Sequence, residues 1–238
     1  MSDAIASHGA DVARHVRTVV DANVEAARQA ADVVVGVARA GRVLHGAGAG
    51  HSLAGVLEMF FRAGGLPFVN PLWHPDVLPL NGAARSTAAE RRPGLGAQVA
   101  RDSGMQAGDA VVVFSTSGVN FYPVEIAAHA RSVGARVIAV TSRPASAAAP
   151  LREGRRLADL ADVVLDTCVP PGDVTWPEDG PRTAPLSSLA NTLCWNLVLV
   201  AALDAAPDLP TWRSANTTGP EDHNARLQEL YRALVPVI

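Results

Sequence analysis

Val43-Leu44-His45-Gly46-Ala47-Gly48-Ala49-Gly50-His51-Ser52 and, about sixty residues further on, Val111-Val112-Val113-Phe114-Ser115-Thr116-Ser117-Gly118 carry the decisive pattern of this chain. In each, an apolar run ends in residues that have no side chain or only a hydroxyl, and a helical pattern follows. A strand that turns into a helix in this way aims backbone N–H groups and a helix N-terminus at one point, which suits an anion. Hydroxyls at the same turn add further donors.

Outward from these turns the rhythm is that of a parallel sheet. Apolar residues recur at helical spacing from Val12 to Val35, so a long opening helix over 5–38 is expected to stop before Gly41. Strands are expected at 43–45, 67–71, 109–114, 136–141 and 162–165, and helices at 52–63, 95–104 and 121–133. The helix at 52–63 is expected to end at Gly64-Gly65. Residues 72–97 and 170–185, rich in proline, read as long loops, the first with room for short helical pieces, and Arg152 to Arg156 as a basic surface stretch. Leu186 to Ala205 reads as a helix apolar on every face, packed on the sheet or at a subunit interface. The tail, 206–238, is expected to end in an amphipathic helix around Leu227, Leu230 and Leu234.

With 238 residues, one large α/β domain with its core over about 36–205 is expected. The formal charge of −3 argues against general nucleic-acid binding. Cys168 and Cys194 are too few for a disulfide framework or a zinc cage, which points to a reducing compartment, the cytoplasm. Leu197 to Leu203 is too short a run to span a bilayer, and Met1 to Arg17 lacks the apolar stretch of a signal peptide. The run Gly46-x-Gly48-x-Gly50 misses the spacing of a dinucleotide fingerprint, and Asn70 and Pro71 stand where its acidic residue belongs. No cofactor and no metal are expected; His74 and Asp76 lack companions at ligand spacing.

The two turns and the order of elements around them resemble the SIS (sugar isomerase) domain family. Phe61-Arg62-Ala63-Gly64-Gly65, the segment Arg85-x-Thr87-x-x-Glu90-Arg91 and Glu221-Asp222-His223-Asn224 look like an uncharacterised bacterial branch of it, described as phosphosugar isomerases of the phosphoheptose type. The resemblance implies a three-layer αβα sandwich on a five-stranded parallel sheet, flavodoxin-like, and a phosphorylated sugar as ligand. It implies that Ser115, Thr116, Ser117, Gly118 and Asn120 hold the phosphate, with Gly48, Gly50 and Ser52 at the sugar or sharing the phosphate. Arg85 and Arg91, with Glu90, are candidates to close over the ligand from the long loop, or else charges that solvate a surface. A homodimer or homotetramer is implied as well.

Aldose–ketose isomerisation through an enediol needs a base near neutral pH and an acid or base to open the ring. Glu58, amid Val56, Leu57, Met59 and Phe60, is the candidate base, or else a surface carboxylate. His223 and His51 compete as the acid, His223 reaching a neighbouring subunit's site as in several sugar-phosphate isomerases of the family; the plain alternative for His223 is an exposed side chain near a helix start capped by Glu221 or Asp222. His45, inside a strand, reads as a core histidine, and Trp176 as packing or as the wall of a sugar pocket. A non-catalytic phosphosugar sensor and an amino-sugar phosphate etherase or deaminase are the other readings. Sensors of the family usually carry about seventy residues of helix-turn-helix before the domain, and about forty residues precede the first strand here, which favours an enzyme.

Overall fold

The computed structural model describes residues 3–152, 154–216 and 222–238. Helix α1 (Ala4–Arg39) opens the chain, with Asp3 accepting the N–H of Ile5 at its N-terminus, and buries Val19, Ala27, Ala30, Val34 and Val37 along one stripe. Strand β1 (Leu44–Gly48) follows, then a short 3-10 turn (Gly50–Ser52) and helix α2 (Leu53–Met59). After β2 (Val69–Leu72), helices α3 (Ala83–Glu90) and α4 (Leu95–Asp102) lead to β3 (Ala110–Phe114). Helix α5 (Phe121–Ser132), β4 (Arg136–Thr141), the short helices α6 (Arg143–Ala148) and α7 (Leu157–Leu160), and β5 (Val163–Asp166) complete the sheet. A small antiparallel pair, β6 (Val174–Trp176) with β7 (Thr183–Pro185), precedes α8 (Ser187–Ala205), and α9 (His223–Tyr231) closes the chain.

All five strands of the main sheet are parallel, in the order β2-β1-β3-β4-β5. Helices cover both faces, and β1 and β3 are buried along their whole length, as strands covered on two sides must be. The chain leaves β1 outward to β2 and then returns across β1 to β3, so the crossovers diverge at the β1/β3 boundary. In open α/β sheets such a switch point leaves a crevice beyond the carboxyl ends of the strands. Register makes the crevice specific: Gly48 lies opposite Phe114, so the residues that follow each, Ala49 to Ser52 and Ser115 to Gly118, leave neighbouring strands side by side.

The expected strands and helices are found, with corrections that have local causes. Helix α2 stops at Met59, four residues short of the expectation: Phe60 is extended and Phe61 takes φ 45°. The tail captures this segment, through Gly64 N–H to Trp212 O (2.8 Å), Trp212 N–H to Gly65 O (2.9 Å) and an edge-on contact of Phe61 with Trp212 at 5.0 Å. The helical piece for which the expected loop 72–97 had room is α3, eight residues long, whereas the expected loop 170–185 contains the β6–β7 pair. Helix α8 is not buried on every face: Cys194, Trp195 and Val198 are enclosed, whereas Leu189 is 44% and Val200 69% exposed. It packs on α1 and α2; by length and hydropathy alone it would suffice to cross a membrane. In the tail, Leu230 and Leu234 are exposed, and the buried anchor is Val235, with Tyr231 near Phe68. Arg156, expected in a basic surface stretch, turns inward and donates to the carbonyls of Ser146 and Ala149 at the end of α6.

His45 is a core residue as expected, 2% exposed, its Nδ1 3.3 Å from Asn70 Nδ2 and its Nε2 3.5 Å from Asp109 Oδ2. Asp109 closes the turn before β3 by accepting the N–H groups of Val43 (3.1 Å) and Gln106 (2.9 Å). Burial alone would raise its carboxyl, but the His45 contact and these two N–H groups outweigh it and hold the group below its ordinary range. A depressed carboxyl stabilises the fold above the unfolded value of 3.8 and loses that contribution as pH falls through the folded value. Asp109→Ala is therefore expected to cost about 3 kcal/mol at pH 7, since it orphans two backbone donors. Urea unfolding should show the difference from wild type narrowing as the pH is lowered below 4; a constant difference would mean that packing alone is at stake.

Candidate functional site

A cleft of about 610 Å3 opens at the switch point. Its floor is the pair of turns: Ala49 to Ser52 on one side and Ser115, Thr116 and Ser117 on the other. Gly50 adopts φ 60°, a left-handed conformation that a side chain would oppose, and lets the strand break into the 3-10 turn at once. Gly48 is required for a different reason. A Cβ there would lie 2.7 Å from the carbonyl oxygen of Ser52, so the turn folds back onto the strand end only because no side chain intervenes.

The second turn is held from behind. Ser115 is 5% exposed and its Oγ accepts the N–H of Gly118 at 3.2 Å, while the carbonyl of Thr116 accepts the N–H of Ser142 (3.0 Å) and the hydroxyl of Thr141 (3.2 Å). Gly118, at φ 61°, gives its carbonyl to Leu157 N–H at 2.8 Å. The loop is thus anchored to β4 and α7, and its Ser115, Thr116 and Ser117 all line the cleft. Helix α5 begins just beyond it, and α8 begins at Ser187, another lining residue, so two helix N-termini of ordinary length point at this end of the molecule. No arginine lines the cleft among the described residues, and the chain has no lysine. Anion binding here would rest on N–H and hydroxyl donors rather than on a fixed cation.

Of the remaining walls only Glu90 was legible in the sequence as a group near the ligand, and Arg91 beside it stays outside the lining. Helix α3 lays Ala83, Ser86, Thr87 and Glu90 along the cleft at helical spacing, Ala145, Ala148 and Ala149 give an apolar side at α6, and Gly172 and Asp173 border α8. Asp173 serves that helix: Oδ1 accepts the N–H groups of Leu186 (2.9 Å) and Ser187 (2.8 Å), and Oδ2 the Ser187 hydroxyl (2.6 Å). It holds φ 69°, outside the range favoured for a side-chain-bearing residue.

Of the three candidates for proton transfer, His51 lines the cleft. Glu58 does not: it lies on α2 with its carboxylate paired to Arg62. His223 lies at the start of α9 with Nε2 3.0 Å from the carbonyl of Thr211, and is not part of the lining. Asp222 at that helix start bonds Arg226 rather than capping with its side chain, and Glu221 lies outside the described residues. Gly50, Ser52, Ser115, Thr116 and Ser117 all line the cleft; Gly48 and Gly118 shape its two turns from behind. Asn120 gives its amide to Glu90 Oε1 at 2.7 Å. Arg85 is turned to Asp76 at 3.9 Å and stays outside the lining, as does Trp176, whose ring meets His8 at 6.0 Å.

Fold and cleft together define a doubly wound α/β domain with a hydroxyl-rich pocket at its switch point. The chain belongs to the SIS domain family, whose sequence pattern matches residues 8–142. A UPF0309 protein of Brucella canis is 37% identical over 210 residues, covering 86% of either chain. Among solved structures, phosphoheptose isomerase GmhA from Neisseria gonorrhoeae superposes with a TM-score of 0.57 at 22% identity, covering 85% of this chain and 97% of that one. The sugar isomerase domain of the RpiR transcription factor from Sphaerobacter thermophilus does so with a TM-score of 0.54 at 15% identity, covering 97% and 99%. At these identities the two structures establish the shared fold.

Proposed function

We propose that this chain binds a phosphorylated sugar in the switch-point cleft and interconverts its aldose and ketose forms through an enediol. The observation that supports this most directly is that the Gly48 to Ser52 turn and the Ser115 to Gly118 loop open into one cleft large enough for a sugar phosphate. The phosphate is assigned to the hydroxyls of Ser115, Thr116 and Ser117 at the start of α5, and the sugar chain to the space between Ser52 and α3. Of Glu58, His51 and His223, the reading uses His51 as the proton donor, because its ring borders that space. Since the chain has no lysine, a side-chain Schiff base is outside its repertoire, which favours an enediol route.

A non-catalytic phosphosugar sensor is the second reading. Its support is that Glu58 and His223 bond elsewhere in the protomer, and that a transcription factor's sugar domain shares the fold. An etherase or deaminase acting on an amino-sugar phosphate would use the same cradle. A cytoplasmic homodimer or homotetramer completes the proposal, with exposed apolar side chains on α1 (Val24) and α8 (Leu189, Val200) available to a second copy.

Calorimetry with hexose, heptose and amino-sugar phosphates tests the ligand class. Binding of at least one at micromolar to millimolar concentration is expected, and Ser117→Ala should weaken it at least ~10-fold, the loss typical of a hydrogen bond to a charged group. If nothing binds at millimolar concentration, the ligand class is wrong.

A further inference from the structure

Three ionisable side chains line the cleft, Glu90, Asp173 and His51, and their surroundings separate their roles. Asp173 spends both oxygens on the first turn of α8, so its carboxylate belongs to that helix end. His51 sits exposed on the Gly50–Ser52 turn. Glu90 is different. It is half-buried at the last position of α3, on the face that also presents Ala83, Ser86 and Thr87 to the cleft, and that helix is fixed by the Ser86 hydroxyl donating to Val77 O at 2.9 Å.

One further bond sets its place. Asn120 stands at the N-cap of α5, where an asparagine side chain ordinarily accepts an N–H of the first turn. Here it makes no such bond; its Nδ2 donates to Glu90 Oε1 at 2.7 Å instead. Asn120 is two residues beyond Gly118, so the bond ties a carboxylate on one wall directly to the loop assigned to the phosphate. It engages one oxygen of the carboxylate of Glu90, a residue that itself lines the cleft. A group held in this way has a defined position relative to a ligand anchored by its phosphate, which is what proton transfer at carbon demands.

We propose that Glu90 is the base that moves the proton between adjacent carbons of the bound sugar phosphate, with Asn120 as its positioning residue. The inference rests on the phosphosugar isomerase reading and deepens it. The carboxylate takes the proton from the carbon next to the carbonyl, and the electron pair of that C–H bond becomes the C–C double bond of the enediol. The carbonyl oxygen takes a proton, supplied by His51. Return of the proton from Glu90 to the neighbouring carbon, with loss of the proton from the other hydroxyl, gives the isomer and restores both groups. No oxidant or reductant enters.

The test is exchange of the carbon-bound proton in deuterated water, followed by NMR with fructose 6-phosphate, sedoheptulose 7-phosphate and glucosamine 6-phosphate, beside calorimetry on the same compounds. Glu90→Gln should lower exchange at least ~100-fold while the dissociation constant stays within about twofold, as removal of a general base would. Glu90→Asp, which draws the carboxylate back by one methylene, should retain part of the rate and guards against a variant that fails to fold. Asn120→Ala should lower kcat about tenfold with KM unchanged; a residue that gripped the phosphate would raise KM. Wild-type exchange in Glu90→Gln, with binding retained, overturns the assignment of Glu90 and leaves the phosphosugar reading standing. A wild-type protein that binds these compounds without exchange removes catalysis altogether, and one that binds none of them removes the ligand class.

Discussion

Gly96→Ala should unfold this protein more readily than any other single methyl group added to one of its helices. Gly96 lies in the first turn of α4, where a Cβ would stand 2.2 Å from the carbonyl oxygen of Tyr122 and 2.9 Å from its carbonyl carbon. Backbone cannot rotate away as a side-chain tip can, so α4 and α5 must separate. The cost expected is about 3 kcal/mol or more, corresponding to a fall in Tm of roughly 6–12 °C for a domain of this size. The damage would spread, because Glu125 on α5 caps α4 by accepting the N–H groups of Gly94 (2.6 Å) and Ala97 (3.2 Å), and separation strips those bonds. Gly36→Ala in α1 is the control: a Cβ there meets nothing within 4 Å, so it should leave stability unchanged or raise it by up to about 1 kcal/mol. Scanning calorimetry decides between them. Equal melting temperatures for Gly96→Ala and wild type would show that the helices have room the packing denies.

The second large effect is on the cleft rather than on the fold. Gly48→Ala places a methyl group 2.7 Å from the carbonyl oxygen and 2.9 Å from the carbonyl carbon of Ser52, and displaces the whole 3-10 turn toward the ligand space. A displaced turn carries His51 and Ser52 with it, and affinity for a sugar phosphate should drop by about 100-fold while the protein remains folded, at a cost of about 1–3 kcal/mol. Calorimetric titration beside a denaturation curve separates the two quantities. Unchanged affinity in a folded Gly48→Ala protein would mean that this turn does not touch the ligand.

How far the sequence foretold the molecule depends on how local each determinant is. The centre of the sheet was readable because β3 and β4 are largely apolar runs of five and six residues, and β1 runs on through Gly46 and Gly48, where the strand end is closely packed, with Met59 Sδ 3.2 Å from where a Gly46 Cβ would lie. The two turns were readable because glycines and hydroxyls follow such runs directly. Helix α3 was not. Its eight residues lie between Pro79 and Pro93, include Ser86 and Thr87, and are held by contacts with the turns at 75–81 rather than by propensity. The β6–β7 pair escaped for a similar reason, since its strands are three residues long and Ala184 bends through positive φ. Glu58 was chosen for its apolar neighbours, yet Leu57 is 70% exposed and Glu58 finds Arg62 one turn on. Glu90 stood out in the sequence only together with Arg85 and Arg91, as a charge of the long loop, because the partner that distinguishes it is thirty residues away in the chain.

The cleft draws its walls from segments scattered between Ala49 and Ser187, and no one of them contains it. An occupant therefore recognises the assembled sheet and nothing simpler, and by mass action it must reinforce the entire domain: at a hundredfold excess over its dissociation constant a ligand adds about 2.7 kcal/mol to the free energy of unfolding. Heating the protein in the presence of candidate metabolites thus turns the molecule into its own detector, with a raised melting point as the signal, before any reaction needs to be known.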